Sequence, residues 1–303
     1  MISSSYKPDT VQGVLARAIL QLARASESPR VDAQMLLAHA LGRDKAWLIS
    51  QAQTFVSKAQ TEKFWALVEK RLTGMPVAYV IGTWGFYGRE FEVKPDVLVP
   101  RPETEHLVDQ ALQYLNSRVK KNAVAKQLFT VLDVGVGSGA IACSIAAEFA
   151  YSVVEGTDTN EKAIKIAERN ARRFNVFGRC KFHLGDLTTP VEGKLYDVVL
   201  ANLPYIPSDE IPPAPSPVGH EPRSALDGGR DGLDVYRRLF PRLPGVVKGD
   251  ALILLEAAPR TIDGLRDLAA EQFPKAKVEV MRDYAELDRF VSIKIGKAST
   301  GSA

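Results

Sequence analysis

The chain has 303 residues, of which 46% are hydrophobic and 25% are charged. This balance is typical of a folded protein with room for two domains, and it excludes a fibrous or largely disordered chain. The formal net charge of +3 is mildly basic and no polybasic run occurs, so the charge does not demand a nucleic-acid partner. No stretch approaches the ~20 apolar residues of a membrane span, and Cys143 and Cys180 are too few for a disulfide framework. We therefore expect a cytoplasmic protein without a membrane partner.

The first part of the chain has the apolar spacing of helices. Apolar residues recur at helical intervals after Thr10, after the Ser28-Pro29 cap and after Ser57, which has Gln60 at capping-box distance. No cluster of His, Cys or carboxylates has the spacing of metal ligands here. We predict a helical domain over residues 1–74 that docks a partner, with a purely structural domain as an equal alternative.

Between residues 75 and 100 the pattern changes to short aromatic and β-branched runs, broken by Gly and Pro, at 78–81, 84–87, 91–93 and 97–99. Such runs predict a β-hairpin linker between two domains. The segment Pro100-Arg101-Pro102-Glu103-Thr104-Glu105 then leads into a helix with an apolar face. Its charged residues could line a cleft, although Glu at a helix N-terminus is also what the helix dipole favours.

The second domain, predicted over residues 101–296, alternates strand and helix patterns. Repetition of this kind predicts an α/β fold with a mainly parallel sheet covered on both faces, and ligands of such sheets bind at the carboxyl ends of the strands. Seven runs are predicted as strands: 129–134, 152–157, 181–184, 195–201, 251–255, 277–281 and 289–295.

The first strand end is a glycine-rich turn into a helix, from Gly135 to Gly139. Glycines let the backbone approach a ligand closely, and the helix N-terminus offers free N–H groups. The loop alone also fits the dinucleotide pattern G-x-G-x-x-A. Asp158 closes the second strand near the ~20-residue offset at which an acidic residue binds ribose hydroxyls. A nucleoside-bearing cofactor is therefore predicted, and Asn160 is the better candidate for capping the next helix.

Two further strand ends carry candidate site residues. Gly185-Asp186-Leu187 places an acidic and an apolar residue where they could face an adenine ring, with a solvent-exposed turn as the alternative. Asn202-Leu203-Pro204-Tyr205 follows a buried strand. The Asn oxygen and the Leu203 carbonyl can both accept hydrogen bonds from an NH2 group, and Tyr205 can lie against its flat face. This pattern favours transfer onto an amide or exocyclic amine, although a Pro turn with a core Tyr would look the same.

The long segment from Ile206 to Gly232 is rich in Pro and Gly and lacks periodicity. Loops of this length are usually functional or disordered. Two parts of it, Glu221-Pro222-Arg223-Ser224-Ala225-Leu226 and Gly228-Gly229-Arg230-Asp231-Gly232, predict an ordered lid or substrate wall, with a floppy insertion as the alternative. Residues 297–303 are small and polar, and we expect them to be a disordered tail.

Together these segments resemble class I methyltransferases that use S-adenosylmethionine, and specifically the PrmC (HemK) family, which methylates a glutamine of peptide-chain release factors. The resemblance covers nearly the whole chain and includes the segments at 100–105, 221–223 and 229–233. It implies a Rossmann-like seven-stranded sheet preceded by a small helical bundle and a hairpin, and a release factor as protein substrate of a monomeric enzyme that needs no metal and no stable nucleic-acid partner.

The resemblance also assigns site residues. It implies that S-adenosylmethionine lies against Gly135, Val136, Gly137, Ser138 and Gly139, with Asp158 at the ribose, Asp186 and Leu187 beside adenine, and Asn202 at the edge of the cofactor site. It further implies that Asn202, Leu203, Pro204 and Tyr205 bind the substrate glutamine, with Asn202, Pro204 and Tyr205 taking part in catalysis.

Two positions depart from the family pattern. The second residue of the tetrapeptide is Leu203 where the family usually has Pro, and Leu187 stands where it usually has an aromatic residue. Asn-Leu-Pro-Tyr is similar to the tetrapeptide of ribosomal RNA adenine dimethyltransferases, so an exocyclic amine of RNA or DNA adenine stays open as the acceptor. A non-catalytic S-adenosylmethionine-binding translation or assembly factor is a further alternative. An NAD oxidoreductase fits less well, because no hydride-handling residue stands at the strand ends.

Overall fold

The computed structural model describes residues 9–121 and 128–296. The chain divides into two compact units. One, called here the helical unit, contains the chain up to Thr83 together with Pro212–His220; the other, called the sheet unit, contains the remainder. The predicted tail, residues 297–303, lies outside the described residues. No helix among those described is long and apolar enough to cross a membrane.

The helical unit is built from short amphipathic helices. The predicted caps are present: Thr10 accepts from the Gly13 N–H, both bonds of the Ser57–Gln60 capping box form, and Gly42 ends its helix in the left-handed conformation at φ 63°. The helices are α1 Val11–Leu22, α2 Pro29–Leu41, α3 Lys45–Ser50, α4 Lys58–Leu72 and α5 Val77–Ile81. The three predicted helices, α1, α2 and α4, are confirmed.

Two helices differ from the sequence prediction. Helix α3 was missed because it has six residues, too few for periodicity to show, although Asp44 caps it by accepting from the Trp47 N–H at 2.7 Å. Residues 78–81 were predicted as part of a hairpin but form the short helix α5. That prediction was wrong because a short apolar run cannot be distinguished by its pattern as a strand or as a fully buried helix. In α5 the residues Val77, Ala78, Tyr79 and Val80 are all buried, so the run shows no helical periodicity.

The segment Pro212–His220 belongs to the helical unit although it lies far along the chain. The backbone of Gly74 approaches it so closely that a Cβ at that position would lie 1.9 Å from the Pro215 carbonyl oxygen. His220 adds a hydrogen bond between its Nε2 and the Thr73 carbonyl at 3.1 Å. The central part of the predicted 206–232 lid therefore packs on the helices as ordered chain. The predicted domain boundaries at 74 and 100 stay predictions.

The helical unit contains a buried ion pair. Arg71 Nε lies 2.7 Å from Asp32 Oδ2, and the two side chains are 5% and 9% exposed. Ser26 also donates its hydroxyl to this carboxylate at 2.7 Å. A buried pair adds little net stability, but removal of one partner leaves an uncompensated charge inside the protein.

We expect Asp32→Ala to lower the free energy of unfolding of the helical unit by about 3–5 kcal/mol, because Arg71 would remain buried without its counter-charge. Urea unfolding followed by tryptophan fluorescence measures this, since Trp47 and Trp65 lie in this unit. Glu62→Ala is the control: its pair with Lys58 at 3.9 Å is exposed and should contribute almost nothing. Equal effects of the two substitutions would contradict the prediction.

The sheet unit begins with a hairpin of β1 Thr83–Phe86 and β2 Arg89–Glu92, whose first residue is still counted with the helical unit. A 3-10 turn at Pro102–Thr104 then leads into α6 Glu105–Lys121, as predicted. The remaining strands are β3 Phe129–Val134, β4 Ser152–Asp158, β5 Cys180–Leu184, β6 Tyr196–Ala201, β7 Val247–Glu256, β8 Lys277–Arg282 and β9 Asp288–Lys294. The helices between them are α7 Ala140–Glu148, α8 Glu161–Arg173, α9 Asp234–Leu239 and α10 Ile262–Gln272.

These strands form one seven-stranded sheet in the order β5-β4-β3-β6-β7-β9-β8. Strands β3 to β7 are parallel, and β9 runs antiparallel to both β7 and β8. The predicted mainly parallel seven-stranded sheet is confirmed. Two separate clusters of buried apolar side chains accompany the sheet, as its predicted covering on both faces requires.

The strand order places the candidate residues together. Strand β3 has β4 on one side and β6 on the other, so the chain reverses its winding direction at β3. In register, Val134 lies opposite both Thr157 and Ala201, and Asp158 lies opposite Leu184. The four predicted strand ends therefore lie along one edge, at the topological switch point where such folds bind ligands.

Candidate active site

The glycine loop after β3 forms the floor of a pocket at this edge, called here the strand-end pocket. Gly135, Gly137 and Gly139 have φ angles of 81°, 52° and 80°, which side chains rarely adopt. A Cβ on Gly135 would lie 2.8 Å from Leu203 Cδ2, whereas nothing lies within 4 Å of a Cβ on Gly137. The loop is thus packed against the tetrapeptide at one end and open to the pocket at Gly137. Val136 and Ser138 also line the pocket.

Asp158 holds this loop in place. Its Oδ2 accepts the Gly137 N–H at 2.9 Å and its Oδ1 accepts the Asn160 N–H at 2.8 Å. Burial raises the pKa of the Asp158 carboxyl, and these backbone bonds act against that shift. Asn160 is the cap of α8, accepting from the Lys162 N–H at 3.0 Å, as predicted. Because Asn160 caps α8, Asp158 is not needed as the cap, and it lines the pocket.

Asp186 and Leu187 line the same pocket after β5. Leu187 is buried and has a φ of 51°, so this turn is tight. The Asp186 carboxylate pairs with Arg238 at 2.6 Å and with Arg242 at 3.2 Å. Sequence reasoning missed both arginines, although Arg238 is itself a pocket residue. Their charges hold the acidic side chain at the pocket wall.

The tetrapeptide after β6 meets the glycine loop. Asn202, Leu203 and Pro204 line the pocket, whereas Tyr205 is not among its lining residues. Asn202 is half-buried and donates from Nδ2 to Thr104 Oγ1 at 3.0 Å. Leu203 is buried, and its N–H donates to the Tyr236 hydroxyl at 3.2 Å. The start of the tetrapeptide is therefore held at two points, the Asn202 side chain and the Leu203 N–H.

Tyr205, the last residue of the tetrapeptide, is partly buried. Burial raises the pKa of its hydroxyl, and the neighbouring Glu256 carboxylate raises it further. Its backbone runs so close to Gly232 that a Cβ on this glycine would lie 2.4 Å from the Tyr205 carbonyl oxygen. The segment Gly229–Gly232 thus packs against the backbone of the tetrapeptide.

The entrance segment and the predicted lid meet at one buried carboxylate. Glu221 accepts the Val99 N–H at 3.0 Å and pairs with Arg101. The residues that follow, Pro222, Ser224 and Ala225, line the strand-end pocket. The prediction that Glu221-Pro222-Arg223 forms an ordered wall agrees with this arrangement.

Besides the two arginines, three residues in or beside the site were not singled out from the sequence: Thr104, Tyr236 and Glu256. Glu256 ends β7 beside β6, and its side chain is 1% exposed. Burial raises the pKa of its carboxyl from 4.5 to about 7, and the neighbouring Thr104 hydroxyl acts against this shift. A carboxylate at the end of a predicted buried strand could have marked Glu256 as a candidate site residue. The residues near it come from distant segments of the chain, so no local sequence pattern indicates them.

This pKa predicts a pH dependence of stability. Between pH ~4.5 and ~7 the folded state keeps the Glu256 proton that the unfolded chain has lost, so folding becomes less favourable as the pH rises. Relative to Glu256→Gln, the wild type should lose roughly 2 kcal/mol of unfolding free energy between pH 5 and pH 7.5. Urea unfolding at both pH values measures the difference. A difference between the two proteins that does not change with pH would contradict the assignment.

The pocket geometry fits a nucleoside-bearing group. The loop offers open backbone at Gly137, Asp158 offers a carboxylate beside it, and the buried Thr157 hydroxyl at the pocket wall has no partner among the described residues. No group of three or more potential metal ligands was found in the part of the chain that the structure describes.

Solved structures agree on the fold. The catalytic domain of hMettl16, in complex with MAT2A 3′UTR hairpin 6, matches with a TM-score of 0.53 and 13% identity, covering 71% of this chain and 77% of that chain. At this identity the likeness concerns the fold alone.

Sequence comparisons are more specific. Residues 13–82 match the family described as PrmC N-terminal domain, and residues 104–211 match the methyltransferase small domain. A release factor glutamine methyltransferase of Moorella thermoacetica is 34% identical over 92% of this chain and 96% of its own length. Proteins of the same name from Bacillus subtilis and Xylella fastidiosa are 35% and 38% identical over 88% and 89% of this chain and over 91% and 95% of their own lengths. The chain therefore belongs to the release factor glutamine methyltransferase family.

Proposed function

We propose that this protein transfers a methyl group from S-adenosylmethionine to the side-chain amide nitrogen, N5, of a glutamine in a peptide-chain release factor, and so tunes translation termination. The observation that carries the proposal is the tetrapeptide Asn202–Tyr205, held against the glycine loop at the switch point of the sheet. Family membership supports the same reaction, since the curated relatives bear its name.

The residues of the strand-end pocket fit the cofactor. We assign Gly135–Gly139 to its methionine and ribose portion, Asp158 to the ribose hydroxyls, and Asp186 and Leu187 to the adenine end. The open backbone at Gly137 lets a ligand approach closely, and the neighbouring Asp158 carboxylate can accept hydrogen bonds from ribose hydroxyls. Leu187 offers an apolar contact in place of aromatic stacking. When bound, S-adenosylmethionine supplies a methyl group on a sulfonium that a nitrogen nucleophile can attack.

The protein's own contribution is to hold the acceptor amide. Asn202 Oδ1 and the Leu203 carbonyl each accept one N–H of the substrate NH2 group, and no N–H competes at Pro204. An amide nitrogen is a poor nucleophile, and positive charge developing on it is stabilised by two fixed acceptors. Tyr205 fixes the plane of the amide. Formation of the N–C bond breaks the S–C bond, which leaves a neutral sulfide, and the methylated nitrogen gives up one N–H proton to solvent. Positioning of this kind contributes up to ~7–11 kcal/mol in favourable cases, and no strong base is required.

The departure at Leu203 keeps an adenine amine of RNA or DNA as the second candidate acceptor. The backbone carbonyl that accepts the hydrogen bond is present with either residue, so the tetrapeptide alone does not separate the two acceptors. We favour the glutamine because the matched relatives span nearly the whole chain, the helical unit included. A cytoplasmic location and a monomeric state complete the proposal.

The test is incubation of the protein with methyl-labelled S-adenosylmethionine and, in separate reactions, a purified release factor and ribosomal RNA. Mass spectrometry then locates the label. We expect label on one glutamine of the release factor. Label on RNA alone would replace the proposed acceptor, and no label in any reaction would favour a cofactor-binding protein without turnover.

A further inference from the structure

Helix α8 carries a completely buried asparagine, Asn170, with 0% of its surface exposed. An amide side chain is costly to bury unless other groups of the protein satisfy its hydrogen bonds. Asn170 does not line the strand-end pocket, so its partners lie elsewhere in the sheet unit. Those partners are backbone groups of the hairpin strand β2 and of the glycine loop.

Three backbone groups engage both ends of this amide. Asn170 Oδ1 accepts the Glu92 N–H at 2.8 Å, and Nδ2 donates to the Glu92 carbonyl at 3.1 Å and to the Ser138 carbonyl at 2.8 Å. An N–H group can only donate and a carbonyl can only accept, so these partners fix which way the amide faces. The side chain therefore joins β2 to the glycine loop.

The Ser138 carbonyl needs a donor from outside its own helix. In a continuous α-helix this carbonyl would accept the N–H four residues later, which is that of Ala142. The Ala142 N–H donates instead to Asp133 Oδ2 at 3.1 Å. Ser138 is 3% exposed, so water has little access to it. Asn170 supplies the hydrogen bond in place of α7 and of solvent.

The same face of α8 also contacts the next residue of the loop. Ala167 lies three positions before Asn170 and therefore on the same side of the helix. A Cβ on Gly139 would lie 3.0 Å from Ala167 Cβ and 3.1 Å from its Cα. Helix α8 thus supports the end of the loop by close packing at Gly139 and by a hydrogen bond at Ser138.

The open part of the loop lies between two anchored points. Asp158 accepts the Gly137 N–H at 2.9 Å, and Asn170 donates to the Ser138 carbonyl at 2.8 Å. Gly137 is the position with free space beside it, and its φ of 52° is one that side chains rarely adopt. Without Asn170 the Ser138 carbonyl could turn toward water, and the loop would lose one of these anchors.

We propose that Asn170 is a positioning residue of the cofactor site: its hydrogen bond to the Ser138 carbonyl holds the glycine loop in the shape that receives S-adenosylmethionine. The role rests on the proposed function, because that function assigns the loop to the cofactor. Since Asn170 does not line the pocket, its effect on the cofactor passes through the loop.

Hydrogen exchange of the cofactor-free protein tests the hold on the loop. In Asn170→Ala, a peptide that covers residues 135–139 should exchange at least threefold faster than in the wild type, because the loop has lost one hydrogen bond. Peptides from β7, in the interior of the sheet, should keep their wild-type rate. A role in the stability of the sheet alone would instead speed exchange in β7 and leave the loop unchanged.

Calorimetric titration tests the consequence for binding. The Kd of Asn170→Ala for S-adenosylhomocysteine should rise ~3–10-fold, the equivalent of one lost hydrogen bond, because binding must then also order the loop. At saturating S-adenosylmethionine, kcat should stay within about twofold of the wild type, because Asn202 and Leu203 are untouched.

Arg169→Ala is the matched control. Arg169 precedes Asn170 on the same helix and also binds Glu92, but through the exposed side-chain carboxylate, at 2.8 and 3.0 Å. Its removal loosens the attachment of α8 to β2 and leaves the Ser138 hydrogen bond in place. Loop exchange and cofactor Kd should therefore stay at the wild-type level in this variant.

Asn170→Asp carries the test if Asn170→Ala does not fold. It keeps the shape of the side chain and an acceptor for the Glu92 N–H, but a carboxyl group offers at most one hydrogen where the amide offers two. One of the two carbonyls must then lose its donor or both must share one, so loop exchange and Kd should change in the same direction by a smaller factor.

Wild-type loop exchange and wild-type Kd in the folded Asn170 variant would overturn the positioning role alone. Equal effects of Arg169→Ala would also overturn it, since attachment of α8 to β2 would then be the cause. Failure of the proposed function is distinguishable, because the wild-type protein itself would show no binding of S-adenosylhomocysteine.

Discussion

Asn202→Ala is expected to lower kcat for glutamine methylation by ~10²–10³-fold, the loss that follows removal of one fixed group that stabilises charge in a transition state. The Asn202 side chain is held by a hydrogen bond to Thr104 at 3.0 Å, and its removal leaves the Leu203 carbonyl as the remaining proposed acceptor for the substrate NH2 group. The Kd for S-adenosylmethionine should change little, because the glycine loop and Asp158 do not depend on this amide. Single-turnover rates and calorimetric titration of the cofactor separate the two quantities.

Asn116→Ala is the matched control for this substitution. Asn116 is exposed on α6, so the same change of side chain there should leave both kcat and cofactor affinity at the wild-type level. If Asn202→Ala retained turnover near that of the wild type, the amide of Asn202 would have no part in holding the acceptor.

Asp158→Asn is expected to weaken the binding of S-adenosylmethionine. Its carboxylate accepts from Gly137 at 2.9 Å and from Asn160 at 2.8 Å, and an amide at this position turns one acceptor into a donor that faces an N–H group. Loss of a hydrogen bond to a charged group costs about 1.5–3 kcal/mol, so the Kd for S-adenosylmethionine should rise ~10–100-fold. At saturating cofactor, kcat should fall far less than in Asn202→Ala.

Calorimetric titration with S-adenosylmethionine and with S-adenosylhomocysteine measures this effect. Asp263→Asn, at an exposed position in the first turn of α10, is the control and should not change either affinity. A cofactor Kd for Asp158→Asn within twofold of the wild-type value would remove Asp158 from the cofactor site.

The sheet could be predicted from the sequence because its strands are buried on both faces. Strand β6 is buried at every position from Tyr196 to Ala201, and such strands appear in the sequence as apolar runs that end at Gly, Asp or Asn. The strand ends then indicate the site, because parallel strands end at a common edge. The caps of α1 and α4 were equally readable, since a capping residue and its partner lie within three positions of each other.

What sequence reasoning missed depends on contacts between distant segments. Asn202 and Thr104 are 98 positions apart, and the Glu221 contact with Val99 spans 122 positions. No local pattern encodes such pairs. The assignment of Pro212–His220 to the helical unit was missed for the same reason, because only the close approach of Gly74 and Pro215 places this segment there.

The roles of the site residues were predicted in part through family resemblance and in part through chemistry. The pairing of an Asn oxygen with a carbonyl before proline is readable from four residues, and the structure places three of those residues in the strand-end pocket. Tyr205 lies beside this pocket without lining it, so its contact with the substrate stays a prediction. Asp186 was predicted to face adenine, and its two arginine partners could not be foreseen from the turn alone.

The most direct test of the account is a structure of the protein with S-adenosylhomocysteine and a release-factor domain that presents its glutamine. The account predicts that the glutamine amide nitrogen lies ~2.7–3.2 Å from both Asn202 Oδ1 and the Leu203 carbonyl oxygen. A glutamine amide bound elsewhere, or turned so that its oxygen faces Asn202, would contradict the proposed roles of Asn202 and Leu203.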